Sequence, residues 1–298
     1  MPFPLPHAFA TLPAEQLAPL ARHYAAAMAS RRRHVYIGLA VIVVCIALSS
    51  WMGEVKPAVF LANAGRLGNY FYDITPTLTF ANLAADLGEW FWNLDHWLKL
   101  LWDTILIAYL GTLFGGLGAF CLCFLASANL VRSPWIRLGV RRFLEFCRTV
   151  PEIVFALLFV VAFGLGPMPG VLALSIHTMG ALGKLFAEVV ENIDMKPVDG
   201  ATASGADWVQ SVRFAVLPQV LSNFASYGLL RFEENVREAA IMGFVGAGGI
   251  GQDLVEAVRK FYYSDVSAIL LLIIGTVVII DLVTERVRHA LLGTERRS

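Results

Sequence analysis

Charged residues are scarce in this sequence of 298 residues. Aspartate, glutamate, lysine and arginine make up 15% of it, the 23 basic and 23 acidic side chains balance, and 57% of the residues are hydrophobic. The mean hydropathy is +0.66. This composition excludes an ordinary soluble domain, and the absence of net charge gives no support for a nucleic-acid partner. It predicts a chain whose solvent is lipid.

Cysteine is also scarce, and the common catalytic motifs are missing. The four cysteines, Cys45, Cys121, Cys123 and Cys147, lie inside or beside apolar runs, without a second ligand at metal-binding spacing. We interpret them as small buried hydrophobic residues. The sequence also lacks a nucleophile with its base, a metal constellation, a phosphate-binding P-loop, an internal repeat and a soluble second domain. We therefore expect no catalytic residue, metal or cofactor on this chain.

Long apolar runs are what the sequence has, and six of them are candidates to cross a membrane. A membrane helix needs about 20 apolar residues. Arginines flank the runs so that, under the positive-inside rule, both termini are cytoplasmic. The sequence therefore predicts an all-α membrane protein with about six transmembrane helices. The expected spans are 36–51, 104–126, 143–165, 171–190, 219–244 and 266–283.

The segments between the runs suggest the organisation of the chain. Residues 1–35 are predicted to be a cytoplasmic N-terminal segment, within which residues 2–30 either form an amphipathic surface helix or are disordered. A cleavable signal peptide is a competing interpretation of the first run, disfavoured by the long stretch before it. Residues 36–97 are predicted to be the first transmembrane helix and a periplasmic loop. The core follows at 98–288 and a cytoplasmic tail at 289–298.

The polar stretch between the fourth and fifth runs has the pattern of two short helices. Pro197 suits the first turn of one helix, and Gly205 can end it in a left-handed conformation. Asp207 begins another helix through a capping box, and the Leu217-Pro218 pair closes it and opens the fifth span. We predict a rigid, bent elbow at residues 196–218 on the cytoplasmic surface.

The fifth run carries charges that cost about 3 kcal/mol each in lipid unless they pair or face water. Glu233 and Arg237 stand four residues apart in the favourable order, and Arg231 shares a face with Asn235. Such a face lines a wet passage or a subunit contact, or the cluster is a self-neutralising structural group. The residues predicted to line a translocation path are Arg231, Glu233, Glu234, Asn235 and Arg237.

Two further groups are candidates for a gate or a turn. Arg148 and Glu152 stand four residues apart near the inner end of the third run, as a gate or as a structural pair. A glycine-rich segment after the fifth run has Gly-x-Gly-x-x-Gly spacing, but a membrane span and not a strand precedes it, which disfavours a dinucleotide site. We expect tight backbone turning there, at Gly246, Gly248, Gly249 and Gly251. In the fourth run, His177 and Thr178 either touch cargo or are hydrogen-bonded interior residues.

The elbow resembles the cytoplasmic loop of type I ABC importer permeases. That loop reads Glu-Ala-Ala, three residues, Gly, nine residues, Ile, one residue, Leu-Pro. The same spacing holds Asp199-Gly200-Ala201, then Gly205, Ala215 and Leu217-Pro218, with departures at the first two positions and at Ala215. Residues 232–251 are similar to the phosphonate-transport branch of that family. So are the shorter stretches 101–104, 127–129 and 148–152.

The resemblance, which covers about residues 97–288, implies a permease subunit and not an enzyme. It implies that an ABC ATPase dimer, which carries ATP and Mg, docks on coupling helices at 196–218. The other implied partners are a periplasmic substrate-binding protein, a second permease copy in a homodimer and the lipid bilayer of a bacterial inner membrane. The implied cargo is phosphonate, phosphite or a related small phosphorus oxyanion, moved by alternating access. The implied ATPase-coupling residues are Asp199, Gly200, Ala201, Gly205, Leu217 and Pro218.

Two other functions are weighed against this one. The first is a proton-coupled secondary transporter that uses Glu233, Glu234 and Glu238. The second is a membrane enzyme acting on lipid phosphates, which needs an acid-base set that the sequence lacks.

Overall fold

The computed structural model describes residues 14–76 and 81–295, and every regular element in those two ranges is helical. The predictions made for residues 1–13 and 296–298 lie outside the described residues. The chain divides after Tyr70 into two compact units.

The first unit contains α1 (Ala14–Met52) and most of α2 (Pro57–Ile74). From Ala14 onward, the segment predicted as a surface helix or a disordered tail is helical and continues without a break into the first predicted span. Within the stretch from Ala27 to Met52, a window of 18 residues has a mean hydropathy of 2.3, as a membrane span requires. The sequence interpretation did not anticipate α2, which lies in the predicted periplasmic loop.

The second unit begins with the last turn of α2, continues with the short α3 (Leu83–Trp90) and is built around α4 (Leu94–Ala126) and α7 (Pro167–Glu191). These two helices approach closely because glycines of α4 face side chains of α7. A Cβ added to Gly111 would lie 2.6 Å from the Cβ of Leu174. The close contact fixes which side chains of α4 and α7 meet in the core.

Within the described ranges, four helices are long and apolar enough to cross a membrane, namely parts of α1, α4, α7 and α12 (Tyr263–Glu295). The bent pair of α5 (Pro134–Thr149) and α6 (Glu152–Phe163) makes a fifth if it counts as one span. The helix α10 (Leu217–Met242) has 26 residues, a length of about 39 Å. Its charged side chains keep α10 out of that count, so the described residues give four or five apolar spans where six spans were predicted.

The third predicted span, 143–165, is wrong as a single helix, because α5 and α6 meet at an angle of 83°. Pro151 has no N–H to continue the helix, and Val150 before it is extended. The ring nitrogen Nδ1 of His177 lies 3.2 Å from the carbonyl oxygen of Val150. This hydrogen bond satisfies a backbone group that the break in the helix sets free.

The predicted hairpin between the third and fourth spans is present as a short turn between α6 and α7. Gly164 and Gly166 have φ values of +88° and +140° in this turn. The N–H of Gly166 donates to the carbonyl oxygen of Gly246 at 3.0 Å. A single 3-10 turn (Gly243–Val245) and α11 (Gly251–Arg259) connect α10 to α12 at the same end of the unit.

Candidate functional site

The segment between α7 and α10 folds into two short helices, α8 (Lys196–Ala203) and α9 (Trp208–Ser211). Gly205 lies between them with φ +88°, a conformation that glycine adopts readily. The Asp207 carboxylate accepts from the Gln210 N–H at 2.7 Å, and the Gln210 side chain accepts from the Asp207 N–H at 3.0 Å. The predicted capping box and left-handed glycine are therefore confirmed. We call residues 196–218 the elbow.

Leu217 begins α10, with Pro218 in its first turn, as predicted. The predicted end of the second arm at this pair is wrong, because the helical backbone does not break there. A π-helical turn (Val212–Val216) joins α9 directly to α10. Pro218 lacks an N–H, and its ring would clash with the preceding turn of a regular helix, which the wider π turn relieves. The chain is thus helical from Trp208 to Met242. A displacement of the elbow therefore acts directly on α10.

The elbow has one buried face and one exposed face. Val198 and Val216 are buried in the core of the second unit. On the other face, Val209 is 64% exposed and Phe214 is 68% exposed. Among the predicted coupling residues, Ala201 and Leu217 are partly buried, whereas the exposed ones are Asp199, Gly200, Gly205 and Pro218. The elbow thus exposes both apolar side chains and the charged side chain of Asp199, as protein-binding surfaces do.

The elbow is also tied to the loop that follows α4. The indole N–H of Trp208 donates to the carbonyl oxygen of Leu130 at 3.2 Å. The side-chain amide of Asn129 donates to the carbonyl oxygen of Val190, at the end of α7, at 2.7 Å. The ends of α4 and α7 and the start of α9 are therefore joined by hydrogen bonds.

A second group of polar side chains lies around Arg231 of α10, which is only 9% exposed. Its Nη1 lies 2.7 Å from a carboxylate oxygen of Glu234, and its Nη2 lies 3.0 Å from one of Glu238. Its Nε lies 3.5 Å from the hydroxyl oxygen of Thr178 on α7. The guanidinium charge is thus shared between two carboxylates of the same helix, in charge-assisted hydrogen bonds.

Asn235, which is completely buried, extends this group to two other helices. Its amide nitrogen donates to the hydroxyl oxygen of Thr112 on α4 at 2.7 Å and to that of Thr178 on α7 at 2.9 Å. The predicted common face of Arg231 and Asn235 is confirmed, since both contact Thr178. We call this group the Arg231 cluster, and its members are Thr112, Thr178, Arg231, Glu234, Asn235 and Glu238.

The other charged residues of α10 face a different neighbour. Arg237 pairs with Glu233 at 3.2 Å, as the spacing predicts, and also with Asp281 of α12 at 3.1 Å. The Thr284 hydroxyl of α12 lies 3.4 Å from the Glu233 carboxylate. The five residues predicted to line one path therefore face two directions. Arg231 and Asn235 face α4 and α7, with Glu234 paired to Arg231, while Glu233 and Arg237 contact α12.

The predicted pairing of Arg148 with Glu152 is wrong, because the bend between α5 and α6 separates the two side chains. No ion pair joins them in the described part of the chain. Glu152 lies instead 3.7 Å from Nδ1 of His177. It is also within electrostatic range of Glu238, which places it at the edge of the Arg231 cluster.

The glycine-rich segment after α10 turns tightly, as predicted. Gly246, Gly248 and Gly249 have φ values of +83°, +89° and +80°. A Cβ on Gly251 would collide with the carbonyl oxygen of Ala240, so this position needs glycine for close approach. The segment therefore holds α11 firmly against the end of α10.

Sequence reasoning singled out Thr178 only weakly. It did not identify Thr112 as a partner of Asn235 or Glu238 as a partner of Arg231. Periodicity within one helix does not reveal which residues of other helices meet it. Glu238 lies seven residues from Arg231, two helical turns away, which is a usable signal. Within the described residues, no group of three or more His, Cys, Asp or Glu side chains could hold a metal ion. What the cluster offers is guanidinium donors beside carboxylate acceptors.

A groove of about 690 Å³ between α4, α7 and α10 borders the Arg231 cluster. Thr112, which accepts the hydrogen bond from Asn235, is one of its few polar lining residues. The other walls are mainly apolar, with Leu113, Phe120 and Phe224 among them.

Residues 119–292 match the protein family described as binding-protein-dependent transport system inner membrane component. The phosphite transport system permease protein PtxC of Stutzerimonas stutzeri is 40% identical over 185 residues, which cover 62% of this chain and 67% of that protein. The putative phosphite transport system permease protein HtxC of the same organism is 31% identical over 269 residues, which cover 90% and 91% of the two chains.

The fold is similar to that of a chain of the MetNI methionine ABC transporter, solved in inward-facing conformations. The TM-score is 0.56 at 19% identity, and the likeness covers 65% of this chain and 95% of that chain. At this identity the likeness concerns the fold alone.

Proposed function

Because this chain belongs to the family of binding-protein-dependent transport system inner membrane components, we propose that it is the permease subunit of a type I ABC importer for a phosphorus oxyanion. Its relatives PtxC and HtxC are named for phosphite transport. The cargo class that we propose is accordingly phosphite, phosphonate or a related small anion. The chain moves this cargo and hydrolyses nothing itself.

The elbow is the observation that carries the proposal. Its outer face exposes Val209 and Phe214, and a continuous helical backbone links it to α10. A surface of this kind suits a protein partner that pushes or pulls on the permease. We assign that role to a cytoplasmic ABC ATPase dimer, which binds ATP and Mg. The residues proposed to couple the two proteins are Asp199, Gly200, Ala201, Gly205, Leu217 and Pro218.

The chain is a multi-pass membrane protein, and we place it in the bacterial inner membrane with six crossings and both termini cytoplasmic. The helix α10, which is the predicted fifth span, completes the six crossings, and its charged face turns away from lipid. Its polar side chains find partners on α4, α7 and α12, which satisfies the requirement that charges within a membrane be paired or hydrated.

The proposed translocation path follows α10. Arg231, Glu234 and Asn235 lie on its α4 and α7 side, and Glu233 and Arg237 lie on its α12 side. Arginine and asparagine donate hydrogen bonds to oxyanions, while the carboxylates keep the binding weak enough for release. The break between α5 and α6, with Arg148 and Glu152 on its two sides, and the glycine turn at 246–251 are the proposed moving parts.

The proposed assembly has two further partners. A periplasmic substrate-binding protein delivers the anion, and a second permease chain completes the path, an identical copy in the simplest assembly. The exposed apolar residues that line the groove beside α10, such as Leu113, Leu117 and Leu221, suit burial against that second chain.

Site-directed cross-linking tests the elbow assignment. In a background whose four cysteines are replaced by alanine, Val209→Cys and Phe214→Cys should cross-link to the co-expressed ATPase. Val258→Cys, a similarly exposed position on α11 at the other end of the unit, is the matched control and should not. Equal cross-linking of the ATPase at all three positions, or at none of them, would contradict the proposal.

A further inference from the structure

The charges around Arg231 do not balance. The single guanidinium donates to the carboxylates of Glu234 and Glu238, and the carboxylate of Glu152 lies within electrostatic range. His177 is a further titratable side chain at the edge of the cluster, with its Nδ1 3.7 Å from the Glu152 carboxylate. A site for an anion is therefore surrounded by more negative than positive charge.

This imbalance restricts what can bind. An ionised carboxylate only accepts hydrogen bonds. A fully deprotonated oxyanion next to Arg231 would meet carboxylate oxygens at close range, in a setting where like charges repel strongly and are poorly solvated. An anion that retains a hydroxyl can instead donate to a carboxylate while its other oxygens accept from the guanidinium.

The two carboxylates differ in exposure. The Glu234 side chain is 53% exposed, so it is free to swing away from Arg231 and to leave room for an anion. The Glu238 side chain is only 21% exposed and makes hydrogen bonds to Nη2 through both oxygens, at 3.1 and 3.0 Å. Glu238 is therefore the carboxylate that stays in place.

Resting on the proposed function, we propose that the Arg231 cluster selects oxyanions that carry an acidic hydroxyl, with Glu238 as the residue that accepts its hydrogen. Arg231 binds the deprotonated oxygens in place of Glu234. Phosphate and the monoanions of phosphite and phosphonates belong to this class, whereas sulfate and sulfonates do not. A site whose buried polar group needs a hydrogen-bond partner discriminates strongly against an analogue that lacks it.

The test is equilibrium dialysis of the purified permease and ATPase complex in lipid nanodiscs against radiolabelled inorganic phosphate and, separately, sulfate. We expect phosphate to bind at least about 10 times more tightly than sulfate. Glu238→Gln replaces an acceptor oxygen with an N–H donor, so the ratio of the two affinities should fall towards one. Arg231→Ala should abolish binding of both anions.

Two variants serve as controls. Glu256→Gln removes the carboxylate of an exposed pair with Lys260 on α11 and should leave the ratio unchanged. Glu238→Asp keeps an acceptor on a shorter side chain and should keep the preference for phosphate. If Glu238→Gln fails to assemble, the ratios of phosphate to sulfate affinity in Glu238→Asp and in the wild-type complex still test the proposal.

Three results for a complex that still imports with ATP would overturn the selectivity proposal alone. The complex binds no phosphate, or it binds phosphate and sulfate equally, or Glu238→Gln keeps the wild-type ratio of the two affinities. Loss of the phosphate preference in Glu238→Asp would also overturn it. A wild-type chain that binds no ATPase at all overturns the proposed function as well. Monitoring ATPase retention in every sample therefore separates the two failures.

Discussion

The elbow and the Arg231 cluster lie at different positions along the same continuous helix, which runs from Trp208 to Met242. The hydrogen bonds within each region differ in the sequence separation of their partners. In the elbow, Asp207 and Gln210 cap each other across three residues. In the cluster, Asn235 reaches Thr178 across 57 residues and Thr112 across 123 residues of sequence. The elbow keeps its shape through local bonds, whereas the cluster depends on how three helices pack. Alternating access needs a rigid element that transmits movement, which the elbow supplies, and a site that responds to helix movement, which the cluster supplies.

The largest expected effect comes from removing the buried charge of the cluster. Arg231→Ala leaves Glu238, whose side chain is 21% exposed, without its cation, a change that costs up to about 3 kcal/mol, while the 53% exposed Glu234 is screened by solvent and adds little. Uptake of phosphate or phosphite by proteoliposomes should fall by at least about 100-fold. ATPase association, measured by co-purification, should be retained, because Arg231 lies far from the elbow. Equal loss of both would remove the distinction between the two regions.

The next largest effect tests the elbow. In Gly205→Val, the added Cβ meets nothing within 4 Å, so only the φ of +88° opposes the substitution. Forcing a β-branched residue into this region costs about 1 to 3 kcal/mol. We expect ATPase co-purification to fall about 10-fold or more. Asparagine tolerates a left-handed backbone, so Gly205→Asn should retain most of the ATPase association. Full association of the valine variant would contradict the elbow assignment.

A smaller effect is expected from removing the hydrogen bond of the cluster that joins α10 to α4. Removing one partner of a buried hydrogen bond costs about 1 to 3 kcal/mol. In a double-mutant cycle, Asn235→Ala and Thr112→Val should each destabilise the detergent-solubilised protein to heat. Their effects should not add, because they share one hydrogen bond at 2.7 Å. Strict additivity would mean that α4 and α10 are not coupled at this point.

The smallest effect is expected at the second arginine of α10. Arg237 is 42% exposed in its ion pairs with Glu233 and Asp281, so its removal should cost less than about 1 kcal/mol of stability. We expect Arg237→Ala to reduce the uptake rate about threefold, with less effect on ATPase binding. Asp281→Asn removes the contact to α12 alone and separates the two pairs. Unchanged uptake kinetics in Arg237→Ala would leave only a structural role for this arginine.

The elbow could be predicted from the sequence because its signals are local. A glycine in the left-handed region and a capping box act within four residues, so they work in any tertiary context. What the sequence interpretation missed there is the π turn, which brings α9 into line with α10. The missed signal is Pro218, since proline within a helix demands a local adjustment.

The broken third span shows why hydropathy alone is insufficient. Residues 143–165 are apolar enough to predict one crossing, yet the chain turns by 83° after Val150. Pro151 signals a break, but the sequence does not reveal the size of the bend or that His177 of α7 bonds the freed carbonyl group. The helices α2 and α3 were missed for another reason, because their mixed composition lacks the uniform hydropathy of a membrane span.

The partners of Arg231 lay beyond sequence reasoning. Helical periodicity placed Arg231 and Asn235 on one face of α10, and this holds. It also suggested one path for the five residues named in the prediction, although Arg237 pairs with α12 and Asn235 bonds to α4 and α7. Helix packing decides this distribution, and it depends on small residues such as Gly111 and Gly115, whose added Cβ atoms would lie 2.6 Å from their neighbours on α7.

The most direct measurement of the central claim is uptake of radiolabelled phosphite into proteoliposomes that contain this chain, its ATPase and its binding protein. An ABC importer predicts uptake that requires ATP, persists when an uncoupler collapses the proton gradient, and is lost in Gly205→Val. The account would be contradicted if uptake proceeded without the ATPase and was abolished by an uncoupler. That result would favour a proton-coupled transporter using Glu233, Glu234 and Glu238.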